Sequence, residues 1–200
     1  SIMETVADTY SILANTLENE VIGTTYREGT ASKDLTVNIN NGAILSSNNL
    51  DGITVDIGYS LTLDSNTSGT MKNFATALKV NEGGTLSIDK ITLTDNTTDI
   101  NNAGTLNLAN VTANKVTGDG DTNVTGTSNV TSLTQDSVNV TGNLTSTNIT
   151  ADDVTNSGTL TVTNISATSG ISNSGALTIS GTALASDISG VGSTSFTNDI

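Results

Sequence analysis

Few side chains in this 200-residue chain are equipped for chemistry, and those few bound what it does. There is no His and no Cys, so neither the usual nucleophile–base pairs nor a thiolate metal site can be assembled. Carboxylates are the next resource. Asp152-Asp153 is the one adjacent acidic pair, and successive strand residues point to opposite faces. Two carboxyls that must flank one glycosidic bond are poorly served by that arrangement. Asp119-Gly-Asp121-Thr-Asn123 alternates oxygen side chains, as calcium loops do. It lacks the later Gly and the bidentate Glu of an EF-hand loop, and a solvated Asx-rich turn accounts for it. These residues define no catalytic group, no metal site and no cofactor site.

The remaining candidate is an array of hydroxyls. Thr125 and Thr127, Thr145 and Thr147, Thr161 and Thr163, then Thr178 and Ser180 follow four successive aliphatic positions at the same spacing. If the aliphatic residues point inward, these eight point outward as a row of Thr-x-Thr pairs. Thr is also simply a good exposed strand residue, and stacked Thr pairs stabilise neighbouring strands by roughly 0.2–1 kcal/mol. In this reading the row ends at Asn107 and Ala109, and again at Ser87 and Asp89.

The elements that must carry such a row come from an internal repeat. Val80-Asn-Glu-Gly-Gly-Thr-Leu86-Ser-Ile88 matches Ile100-Asn-Asn-Ala-Gly-Thr-Leu106-Asn-Leu108, Val154-Thr-Asn-Ser-Gly-Thr-Leu160-Thr-Val162 and Ile171-Ser-Asn-Ser-Gly-Ala-Leu177-Thr-Ile179. Each is an aliphatic residue, an Asn/Gly turn and an aliphatic-x-aliphatic strand. Taking Leu45, Leu61, Leu86, Leu106, Val124, Leu144, Leu160 and Leu177 as key positions gives a spacing of about 16 to 25 residues, the size of a solenoid coil. Gly84, Gly104, Gly142, Gly158 and Gly175 are expected to supply a positive φ, and Asn102, Asn156 and Asn173 beside them read as turn residues. One coil cannot bury its own apolar face, so stacking is required. The expectation is a single aliphatic column through Leu106, Leu144, Leu160 and Leu177.

Composition agrees with a narrow interior. The five aromatics are Tyr10, Tyr26, Tyr59, Phe74 and Phe196, and Trp and Pro are absent. Pro would remove a ladder hydrogen bond from a central strand. Regularly spaced Ile, Leu and Val argue against disorder despite a net charge of −14. The six basic residues form no patch, which excludes nucleic acid as a partner. No apolar run approaches the ~20 residues of a membrane span.

The first 30 residues differ. Val6, Tyr10, Leu13, Leu17 and Val21 recur at helical spacing and predict a short helix near 9–19, laid over the open first coil. The sequence thus reads as an all-β parallel β-solenoid with a short N-terminal capping helix. Residues 1–34 form the cap, 35–190 the coils, and 191–200 a frayed end or a truncation. Asn-x-Ser/Thr sequons, such as Asn96, Asn110 and Asn148, follow from the same grammar and need no glycosylation to explain them.

Segments such as Asn-Asn-Ala-Gly-Thr-Leu-Asn-Leu (101–108) and Asn-Ser-Gly-Ala-Leu-Thr-Ile (173–179) resemble the passenger domains of autotransporter-type bacterial surface proteins. The opening Asp8–Leu17 resembles the helical entry of pectin-lyase-like solenoids. The resemblance implies an all-β right-handed parallel β-helix (solenoid), export across an outer membrane and display at the cell surface. A rigid repeat with no concentrated chemistry reads in turn as a non-catalytic structural or adhesive protein contacting glycans, host or neighbouring cell surfaces, or sister molecules. Two alternatives stand beside it. The Thr-x-Thr row resembles the ice-binding faces of antifreeze solenoids. Polysaccharide lyases or hydrolases share the fold, although Arg27 is the one Arg available and lies near the expected cap.

Overall fold

A computed structural model of the chain describes residues 9–12, 34–39, 44–46, 54–65, 68–73 and 76–197. Every paired strand is parallel, and all belong to one continuous sheet that winds around a central core. The described residues contain no helix. The chain is a parallel β-solenoid with three strands to each coil. Strands of a first ladder include Ser60–Asp64, Thr85–Asp89, Thr105–Ala109 and Asp121–Thr125. A second ladder includes Gly69–Lys72, Ile91–Thr94 and Ala176–Ile179. The third includes Leu78–Val80 and Ile100–Asn102. The long strands Asn143–Asn156 and Thr159–Asn173 each pass through all three ladders in one coil.

Alternation explains the winding. Within Thr85–Asp89 the odd-numbered residues are half-buried, while Leu86 and Ile88 are fully buried. The same period of two runs through Asn143–Asn156. A strand with one buried face requires this pattern, and three such strands per coil close around one apolar cluster running from Val55 to Ile179.

The key aliphatic positions are divided between the first and second ladders instead of sharing one column. Leu61, Leu86 and Leu106 stack in the first ladder, and the column continues through Thr122, Val138, Val154 and Ile171. Leu144, Leu160 and Leu177 stack in the second ladder. Val124 lies one inward position further along the first ladder, over Leu108 and under Val140. The cause is that two different corners use the same turn. Gly84, Gly104 and Gly120 stack at the corner that enters the first ladder; Gly126, Gly142, Gly158, Gly175 and Gly192 stack at the corner that enters the second. The key residues from Leu61 to Leu177 are nonetheless buried, Leu106 and Leu160 completely.

The glycines also serve a different purpose from the expected one. Gly84, Gly104, Gly142, Gly158 and Gly175 do not take a positive φ. They are needed because consecutive coils touch: a Cβ on Gly158 would meet the carbonyl oxygen of Gly142, and one on Gly175 the carbonyl oxygen of Gly158. That oxygen accepts the next coil's hydrogen bond, as in Thr159 N to Gly142 O at 2.9 Å. Asn102, Asn156 and Asn173 sit at these turns, as expected, but on their inner side. They are fully buried, and the Oδ1 atoms of Asn102 and Asn173 accept the amides of Gly104 (3.0 Å) and Gly175 (3.2 Å) from inside the corner.

At the N-terminus, Thr9–Ile12 is a strand paired with Asp34–Ile39, where the helical spacing placed the start of a helix. Residues 13–19, the rest of that expected helix, lie outside the described residues, as does most of the 1–34 cap. At the other end, Ser193–Phe196 still pairs in register with Ala176–Ile179, so the coil pattern continues past Gly190, where the sequence grammar fades. Residues 198–200 lie outside the described set.

Candidate functional site

The eight hydroxyl residues do not form one row. Thr145, Thr161 and Thr178 stack directly on one another in the middle of the second ladder's outward side. Thr147, Thr163 and Ser180 follow two residues on, at the corner leading to the third ladder. Thr127 stacks on Asn143 in the leading row of the same side. Thr125 is separate: it stacks on Ala109 in the first ladder. Gly126, with φ of +62°, turns the corner between Thr125 and Thr127, so the two flank a bend instead of sharing a strand.

The register also extends the row where the sequence ended it. Asn107, Ala109, Ser87 and Asp89 belong to the first ladder, so they do not interrupt the second. The middle row instead runs Thr70, Thr92, Thr112, Asn129, Thr145, Thr161, Thr178 and Ser195 through eight coils. Thr70, Thr92 and Thr112 were missed because the early coils are longer, 25 residues from Leu61 to Leu86 against 16 from Leu144 to Leu160. The usable signal was the Thr that follows a buried aliphatic residue: Ile91-Thr92 and Val111-Thr112.

This side is chemically uniform. Among the described residues no side chain pairs with the hydroxyls of Thr112, Thr145, Thr161 or Thr178; the first three are exposed and Thr178 is half-buried. The flanking rows are pinned by hydrogen bonds between coils, such as Asn143 Nδ2 donating to Thr127 Oγ1 at 3.2 Å and Thr127 N donating to Asn110 Oδ1 at 3.1 Å. No charged residue interrupts the three rows from Asn110 to Thr197.

The charges of that stretch are Lys115 and six aspartates. Lys115 lies in the third ladder, opposite Ser132. Asp119, Asp121, Asp136, Asp152, Asp153 and Asp187 gather where the third ladder turns into the first, the one corner that the threonine side does not share. Loss of water around Asp136, reinforced by the carboxylates of Asp152, Asp121, Asp153 and Asp119, holds its carboxyl above the ordinary range. The hydroxyls of Ser169 and Thr168, each donating at 2.7 Å, hold the Asp152 carboxyl below it. Asp153 accepts from Ser137 Oγ at 2.7 Å, so the Asp152-Asp153 pair is engaged with separate hydroxyls. In the Asp119–Asn123 run, Thr122 is buried and donates to Gln135 Oε1 at 2.8 Å, while Asn123 Nδ2 donates to Asn107 Oδ1 at 3.0 Å. Its side chains are spread along a strand instead of wrapping a cation. Among the described residues no group of three or more carboxylates converges as a metal site.

Polar groups inside the rod are structural. Gln135 Oε1 accepts from Asn102 Nδ2 (2.6 Å) and Thr122 Oγ1, and its Nε2 donates to carbonyls of Asn102, Thr117, Gly118 and Thr134. This hub fills the corner where coil length drops from 20 residues (Leu86 to Leu106) to 16 (Leu106 to Thr122). The fully buried Asp99 carboxylate accepts from Asn96 Nδ2 and from the amides of Asn114 and Lys115, which ties down the preceding turn.

No family model, curated protein or solved structure matches the chain. Among the described residues no helix is long and apolar enough to cross a membrane.

Proposed function

We propose that this chain is a segment of a secreted, cell-surface structural or adhesive rod, passenger-like in design, wound with the right hand that parallel crossovers favour, and non-catalytic. The observation that carries the reading is the coupling of a continuous aliphatic core to outward rows of Thr, Ser and Asn that repeat from coil to coil. Such a rod is rigid and presents the same shallow polar contacts many times along its length. Weak contacts repeated at fixed spacing add up through avidity, which suits attachment to glycans, to a host or neighbouring cell surface, or to sister molecules. A net charge of −14 keeps a long exposed surface soluble. Deleting the protein from the cells that make it and scoring adhesion and surface organisation tests this. A loss of either supports the reading; unchanged adhesion and unchanged surface organisation overturn it.

A second reading, contact with ice, is favoured by one observation: the second ladder's outward side is free of charge over its last six coils. Thermal-hysteresis and ice-recrystallisation measurements on the purified chain test it, and no effect on either ends it.

A further inference from the structure

We infer that the ice-contacting surface is the second ladder's outward side, with the row Thr112, Asn129, Thr145, Thr161, Thr178 as its centre line, and that Thr125 takes no part. The inference rests on the ice reading and names the site for it. Three properties single out this side.

The first is order. Rows on a parallel sheet repeat about every 4.8 Å across coils, and alternate residues about every 6.6 Å along a strand. Both repeats lie near oxygen spacings on a prism plane of ice. A row registered over eight coils therefore offers a two-dimensional lattice to a water layer.

The second is unspent chemistry. Each Thr presents one methyl and one hydroxyl, and the hydroxyls of the centre line are uncommitted among the described residues. On the first side the equivalent row is paired within the protein over its early coils, where Asn123 Nδ2 donates to Asn107 Oδ1 and Asn107 Nδ2 donates to Ser87 Oγ. A surface whose polar groups bond one another has little left for an ordered water layer.

The third is charge. An ion holds its own hydration shell, which competes with lattice water. All six aspartates of the last coils lie at the corner that this side does not share. The first side carries Asp121 and Asp153, and the third carries Lys115 and the exposed apolar Leu184.

The test uses the 200-residue chain and three single variants. Thr161→Tyr and Thr145→Tyr put a bulky ring on the centre line. Thr155→Tyr puts the same ring on the exposed first side, where Thr155 stacks between Asn139 and Ser172. Each variant is first checked for an unchanged melting temperature, which these exposed positions predict. The expected result is thermal hysteresis in the wild type and in Thr155→Tyr, and loss of most of it in both centre-line variants. If the wild type does not shape ice, the ice reading falls and the site falls with it. If the wild type is active but the centre-line variants keep its activity, or Thr155→Tyr loses it equally, ice binding stands and the assignment to this side is overturned.

Discussion

Replacing Gly158 by Ala and by Asn separates two reasons for a glycine. If the residue were there for backbone freedom, Asn would substitute better than Ala, because Asn tolerates the left-handed region. The structure assigns a different reason: any Cβ at 158 meets the Gly142 carbonyl oxygen in the coil beneath. Forcing an extra carbon into packed space costs about 1–3 kcal/mol. Displacing the carbonyl also weakens its hydrogen bond from Thr159 N, worth about 1 kcal/mol. Lower entropy of the unfolded chain returns about 0.4–1 kcal/mol. The net loss is about 2 kcal/mol, or about 4–8 °C in melting temperature for a chain of this size. Gly58 is the control: its φ is +81° and a Cβ there meets nothing within 4 Å. There Ala should cost about 1–2 kcal/mol, and Asn less. Thermal melts followed by circular dichroism read all four variants. If Asn rescues at 158 as it does at 58, the stacking argument is wrong.

Leu160→Ala, in a fully buried column, should lose about 2–5 kcal/mol, whereas Leu184→Ala at 72% exposure should change urea stability by under about 0.5 kcal/mol. Gln135→Leu removes the acceptor shared by Asn102 and Thr122; the Thr122 hydroxyl is orphaned, at about 1–3 kcal/mol, while Asn102 Nδ2 keeps Asp121 O and Gly104 O. Thr122→Val removes one donor and leaves that acceptor still paired with Asn102, so it should cost about 0.5–1.5 kcal/mol in the same urea titration. Asp136 has a raised folded-state pKa, so the folded chain holds its proton to higher pH than the unfolded chain does. Its contribution to stability therefore rises as pH falls through the interval between the ordinary Asp value and the raised one. Asp136→Asn should remove that dependence and stabilise the rod at neutral pH, measured by denaturant titrations across an acidic series. Asp152 works in the opposite sense. Its lowered pKa adds stability above the ordinary Asp value, and this is lost as pH falls through the folded value.

The solenoid was legible because aliphatic alternation and coil-length spacing are properties of the chain itself. Leu86 beneath Leu106 and Leu160 beneath Leu177 were both readable as stacked pairs. What could not be read was which corner each Asn/Gly turn belonged to. Ile100–Leu106 turns from the third ladder into the first, while Val154–Leu160 turns from the first into the second, and both spell the same motif. Superimposing them merged two columns, drew Thr125 into a row it does not join, and cut that row short at Asn107. Asn102 and Asn173 were read correctly as turn residues, each accepting the amide of the Gly two residues on, but their burial was not legible. An Asn beside a Gly suits an exposed turn, and only the stacked coil supplies the carbonyls, Asp121 O for Asn102 (3.0 Å) and Ala176 O for Asn156 (2.9 Å), that make it suitable for the interior.

Paired cysteines measure the register of the second ladder directly, since the chain has none of its own. Neighbouring parallel strands lie about 4.8 Å apart, within the roughly 4.4–6.8 Å Cα separation of a disulfide. Thr112→Cys with Asn129→Cys should therefore oxidise to an intramolecular disulfide, and Thr145→Cys with Thr161→Cys should do the same. Thr125→Cys with Thr145→Cys, on different ladders, should stay reduced. Ready crosslinking of the 125/145 pair, with none at 112/129, would contradict the division between the first and second ladders and the threonine side built on it.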